Sequence, residues 1–217
     1  MVAPLLLSLA FVAACSSSPT PHAVTQPEPS ATTASPGADA AAALARAVSA
    51  VTATRSFTFV ATEVLSGDAS HATSVRGSVV RGQGVSYVLT ANGRSSQVVR
   101  IAGATYVRPV PGRWSKLRKP RPVSDPAGTL LAVLRGLAQP VLRTAGTTEI
   151  VSGSLPPAAA KAAQLPAGSM PAQVQVTLDA AGHVTKLVVT TQSGATDITL
   201  TTSYANFGRV KPLKPPA

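Results

Sequence analysis

The 217 residues are 45% hydrophobic and 12% charged, enough for one domain with a tail or two very small domains. One cysteine excludes an internal disulfide, and three His and eight acidic residues scattered along the chain offer neither a metal cluster nor a paired nucleophile and base. The formal charge is +11, and ten basic residues lie between Asp68 and Asp125 with no acidic one among them; such a stretch suits anionic lipid head groups, cell-wall polymers or nucleic acid, or is simply a solvated surface.

Leu5 through Ala14 is an apolar run that ends at Cys15. It is too short to span a bilayer as a mature helix and has the length of a signal-peptide core. Val12-Ala13-Ala14-Cys15 matches the bacterial lipobox. Small residues before the cut let an extended segment enter a narrow protease groove, and the thiol of Cys15 then carries acyl chains that hold the protein to the membrane. The segment before the run has no Lys or Arg, a departure from the usual signal pattern. An exported protein has little access to nucleic acid, so that partner is set aside.

Residues 16–37 are rich in Ser, Thr, Pro and Ala and read as a disordered linker. Asp39 is a suitable N-cap for a helix to about Ala53, with Leu44, Val48 and Val51 on one stripe. Strands follow. Phe57, Phe59 and Ala61 alternate with polar neighbours; Val75, Gly77 and Val79 suggest the next strand; Val85, Tyr87 and Leu89 the one after. Arg81-Gly82-Gln83-Gly84 is a turn, and Asn92-Gly93 is a type I′ hairpin signal. Gln97–Ile101 and Thr105–Arg108 flank Gly103, and Pro109–Gly112 turns the chain toward Trp114. Asp125-Pro126 opens a second, largely apolar helix through Leu130, Leu131, Val133, Leu134 and Leu137. A short strand near Thr147 to Val151 and an Ala-rich helix near Pro157 to Gln164 come next. The last third is a three-stranded antiparallel meander: Val174, Val176 and Leu178; Val184 to Thr190; then Ile198, Leu200, Thr202 and Tyr204. His71 and His183 fall in turns and are read as solvated.

The sum is an α+β domain, a curled antiparallel sheet with a few helices over its apolar face. Two helical stretches cover only part of so much sheet, so the sheet either closes tightly on itself or leaves an apolar gap.

The order of elements resembles the LppX/LprAFG family of actinobacterial lipoproteins. It rests on the acylated Cys, a polar linker, an amphipathic helix, Ser56-Phe57-Thr58-Phe59, Thr105-Tyr106-Val107, Gly112-Arg113-Trp114, Asp125-Pro126 and Tyr204-Ala205-Asn206-Phe207-Gly208, over roughly residues 39 to 212. The resemblance implies a half-barrel of the LolA type around an apolar cavity for acylated lipids, and a role in moving lipid or lipoglycan through the envelope. This chain departs from the family in its few large aromatics and its basic middle.

The resulting expectations are concrete. The chain divides into a signal peptide 1–14, an acylated Cys15 with linker 15–38, a domain 39–212 and a tail 213–217. The cavity is expected to be lined by Phe57, Phe59, Val79, Tyr87, Leu89, Leu130, Leu134, Val176, Leu178 and Leu200. An anionic head group or surface is expected at Arg108, Arg113, Lys116, Arg118 and Lys119. The protein is read as a non-enzymatic monomer without cofactor, anchored on the outer face of the cytoplasmic membrane, with a lipid ligand. The second reading is an interaction or sensing module that meets an envelope partner through the basic segment.

Overall fold

The computed structural model describes residues 33–35, 37–66, 71–118, 125–165 and 170–216. Cys15, most of the linker and Lys119 lie outside them. Twelve strands form one antiparallel sheet in the order β1-β8-β9-β10-β11-β12-β2-β3-β4-β5-β6-β7. Two meanders build it. The first is β2 (Ser56–Ser66), β3 (His71–Val80), β4 (Gly84–Ala91), β5 (Arg94–Ile101), β6 (Ala104–Val110) and the two-residue β7 (Ser115–Lys116). The second is β8 (Ala138–Ala145), β9 (Thr148–Leu155), β10 (Ala172–Leu178), β11 (Val184–Ser193) and β12 (Thr196–Ala205). The β12–β2 ladder, with Tyr204 opposite Phe59 and Leu200 opposite Glu63, fuses them. The sheet is curled and unclosed, with β1 (Thr33–Ser35) and β7 at its two edges. Asn92 and Gly93 both take positive φ in the β4–β5 turn, as the type I′ signal requires.

Three helices cover one half of the concave face: α1 (Gly37–Ala53), α2 (Pro126–Gly136) and α3 (Pro157–Ala162). Helix α1 buries Ala40, Ala43, Leu44, Ala47 and Val51, a helical stripe whose alanines bring its axis close to the sheet. It packs on β8 and β9 and against α2, which in turn meets α3. A bidentate pair from Arg46 to Glu149, at 2.8 and 2.7 Å, ties α1 to β9. The core lies between these helices and the inward rows of β9 to β12, where Val151, Leu155, Val176, Leu178, Val184 and Leu187 are essentially inaccessible.

Several local expectations shift. Helix α1 begins at Gly37, which puts Asp39 in its first turn, where a carboxylate still opposes the helix dipole favourably. Thr33–Ser35, read as linker, pair with β8. Strand β8 itself has no strong alternation: Ala138-Gln-Pro-Val-Leu-Arg-Thr-Ala buries only Leu142, and a register shift between Ala138 and Val141 accommodates Pro140. Its partners, not its own pattern, make it a strand. Strand β9 runs on to Leu155, and α3 stops at Ala162. The three C-terminal strands continue the large sheet on both sides, a pairing that alternation within each strand does not reveal. His183 is not simply solvated: its ring stacks on Phe207 at 4.5 Å between centroids, and its Nδ1 lies 3.2 Å from a carboxylate oxygen of Asp179. His71 begins β3. The tail at Leu213 is held by its backbone N–H, which donates to Gln83 Oε1 at 3.0 Å.

Candidate functional site: an apolar cavity under the uncovered half of the sheet

The helices leave the concave face of β2 to β6 largely open, and a cavity of about 800 Å³ lies there. Register builds its wall. One row runs Phe59, Gly77, Tyr87, Val98 and Val107 across five adjacent strands, and the next runs Ala61, Val75, Leu89 and Ser96. Because side chains alternate between faces, residues two apart on each strand share the wall. Strand β12 extends both rows, placing Tyr204 beside Phe59 and Thr202 beside Ala61. A third row adds Leu200 and Glu63. The roof consists of Pro126 and Thr129 from the first turn of α2 and Gln164 and Leu165 after α3; Leu117, just past β7, completes one side.

Asp125 secures that roof. It caps α2, its carboxylate accepting from the Ala127 N–H at 3.1 Å, with Pro126 at the first helical position. Tyr204 on the wall backs onto an aromatic cluster in the core. Tyr204 meets Phe57 edge to face at 5.7 Å, and Phe57 lies 6.5 Å from Phe207. Burial pushes the Tyr204 hydroxyl far above the ordinary phenol range, against a smaller lowering by its hydrogen bond with Thr202. Burial likewise raises Tyr87. Both rings therefore present neutral hydroxyls.

The polar side chains of the wall, Ser96, Thr105, Thr129, Gln164, Thr202 and the two tyrosines, are uncharged apart from Glu63. Glu63 is the one carboxylate among the described residues of the wall. Thr105 is 1% exposed, and its hydroxyl has no hydrogen-bond partner among the described residues. Among those residues no group of three or more His, Cys, Asp or Glu gathers. The arrangement can take up hydrocarbon.

A smaller depression of about 410 Å³ lies at the turn ends of β3 to β6, walled by Arg81–Gly84, Arg100, Gly103 and Asp125. Its lining mixes turn backbone and the charged Arg81, Arg100 and Asp125 with Val79, Val80, Val85, Ala102 and Ala127, so it is less apolar than the larger cavity. The Arg81 guanidinium reaches away to the end of α1, where its Nη1 donates to the Thr52 carbonyl at 3.3 Å.

Four of the ten expected cavity residues, Phe59, Tyr87, Leu89 and Leu200, line the larger cavity. Val79 borders the smaller depression. Phe57, Leu130, Leu134, Val176 and Leu178 belong instead to the solid core, each at most 2% exposed. The correction has one cause: inward orientation is common to core and cavity, and only the placement of the helices separates them. Sequence reasoning missed Val75, Val98 and Val107, which share the inward parity of Phe59 through the register. Glu63 was missed although it follows Phe57, Phe59 and Ala61 at the same two-residue step.

Of the expected head-group residues, Arg113, Lys116 and Arg118 are exposed. Arg108 is engaged: it donates to Gln97 Oε1 and lies over the Trp114 ring, 5.1 Å from its centroid. Trp114 is half-buried beneath it.

No family model and no curated protein matches the sequence. Solved structures match its fold. LprF from Mycobacterium bovis superposes with a TM-score of 0.63 at 16% identity, over 84% of this chain and 100% of that one. The Mycobacterium tuberculosis lipoprotein LppX gives 0.48 at 16% identity, over 80% of this chain and 98% of that one. A curled, unclosed antiparallel sheet with helices over one half of its concave face is thus the fold that this chain shares with LprF.

Proposed function

We propose that the protein binds the acyl chains of a lipid or lipoglycan in the large cavity and carries them through the cell envelope. The observation that carries this reading is a cavity of about 800 Å³ whose wall is chiefly Phe, Val, Leu, Tyr and Ala. That size falls within the range of ordinary ligand sites, and burying each methylene is worth about 0.8 kcal/mol, so one long chain supplies ample affinity. The fold shared with LprF is compatible with it.

No catalysis is required. Chains leave the bilayer for the cavity while the head group stays at its rim. Anchoring belongs to the same proposal: acylation of Cys15 holds the domain at the outer face of the cytoplasmic membrane, and the following linker lets it reach. Among the described residues no helix is long and apolar enough to cross a membrane.

Native mass spectrometry of the full chain, purified with its host's envelope lipids, tests the reading. Bound lipid at one per protein is the expected result. Protein that is consistently lipid-free and also takes up no fluorescent long-chain fatty acid overturns it. Mass analysis of the mature N-terminus tests the anchor; an unmodified Met1 defeats that part.

A further inference from the structure

The acidic residues of the sheet are absent from one part of it. From His71 to Arg118, strands β3 to β7 and their turns carry arginines and a lysine and no acidic residue. The described carboxylates lie elsewhere, for example Glu149 on β9, Asp179 beside β10 and Asp197 on β12. At the free edge of this basic half the hairpin from β6 to β7 also exposes hydrocarbon. Val110 is 48% exposed and stands next to Pro111 at the tip. Arg113, Lys116 and Arg118 are exposed around it, and Trp114 sits half-buried under the Arg108 guanidinium. The same edge bounds the cavity, since Val107 of β6 and Leu117 beside β7 are on its wall.

We propose that this hairpin docks the domain on an anionic bilayer surface, with the β6–Leu117 side of the cavity toward the lipid. Charge complementarity supplies the attraction. Each Lys or Arg near an anionic leaflet contributes roughly a fivefold gain in binding. The choice of a bilayer over an anionic polymer follows from the apolar tip: a polymer has no use for an exposed valine beside a proline, whereas head-group regions accept apolar and Trp side chains together with basic ones. The docking surface rests on the carrier reading for its purpose and not for its existence.

The test uses the full chain carrying Cys15→Ser, so that attached acyl groups do not contribute. Any binding through residues 5–14 is then common to all variants. Binding to vesicles of phosphatidylcholine with phosphatidylglycerol is compared with binding to phosphatidylcholine alone. A preference for the anionic vesicles that weakens with salt is expected. Replacing Arg113, Lys116 and Arg118 by Gln should reduce that binding by about a hundredfold. Replacing Arg143, Lys161 and Lys186, exposed residues of β8, α3 and β11, removes the same net charge and should leave it nearly unchanged, because surface charges beyond about 10 Å are screened at 0.1 M salt. Val110→Ser should weaken vesicle binding and leave heparin binding as it was.

Equal losses from the two triple variants would mean that net charge alone matters, and would overturn the proposal. So would the lack of any preference for anionic vesicles, or binding to heparin but not to vesicles. Uptake of the fluorescent fatty acid from solution is measured in parallel. Docking without uptake defeats the carrier reading and leaves the docking surface standing; uptake without docking does the reverse.

Discussion

Gly77 faces Tyr87 across the β3–β4 ladder, and a Cβ built on Gly77 would lie 2.5 Å from the Tyr87 Cβ and 2.3 Å from the Ser86 carbonyl oxygen. The two strands curl so tightly here that only the absence of a side chain lets the Tyr87 ring fold over the wall. Both contacts are to backbone or to a Cβ, which cannot swing away. Gly77→Ala is therefore expected to destabilise the domain by about 1–3 kcal/mol, the usual range for overpacking. Urea unfolding monitored by circular dichroism measures it; an unchanged midpoint would show that the curl is not limited at this position.

Leu178 and Leu89 separate core from cavity. Leu178 is wholly buried among core side chains, and Leu89 borders the cavity. Leu178→Ala should cost about 2–5 kcal/mol of stability. Leu89→Ala removes a side chain that already faces space, so its cost should fall below that range while affinity for a long-chain fatty acid drops. Paired unfolding and fluorescence titrations read both quantities. Equal stability losses would contradict the division drawn here.

Asp125 is expected to act on the cavity through α2. Asp125→Ala deletes the acceptor for the Ala127 N–H and should cost about 0.5–2 kcal/mol, with fraying confined to the turn that carries Pro126 and Thr129. Hydrogen exchange of that turn should rise before global unfolding, and dissociation of a bound fatty acid should accelerate. Unaltered exchange would mean that Pro126 alone fixes the helix start.

The Arg46–Glu149 pair, although bidentate, should contribute little. The Arg46 side chain is 53% exposed and that of Glu149 26%. Glu149→Gln should cost less than about 1 kcal/mol, and added salt should reduce the difference from the parent chain. A larger, salt-insensitive loss would point to a structural role for Glu149 in β9 itself.

A change at the wall is expected to leave the fold intact yet block binding. Ala61 lies between Phe59 and Glu63 on the inward side of β2 and borders the open cavity. Ala61→Trp projects an indole into that space, so the melting temperature should stay within a few degrees while fatty-acid uptake is lost. Retained uptake would place the ligand elsewhere.

Residue order alone determined much of this molecule, because local physics writes it into short windows. The two-residue alternation of Phe57, Phe59 and Ala61 or of Val174, Val176 and Leu178 specifies which face of a strand is apolar. Asn92-Gly93 specifies a tight hairpin, and Asp125-Pro126 a helix start. Tertiary structure decided what no window contains. Strand β8 exists because β9 and β1 pair with it, and β12 joins β2 across most of the chain length. Above all, Leu178 and Leu89 carry the same inward signal, and only the docking of α1, α2 and α3 over one half of the sheet buries the first in a core and leaves the second facing a cavity. An apolar side chain records that it must avoid water; it does not record whether protein or lipid will keep the water out.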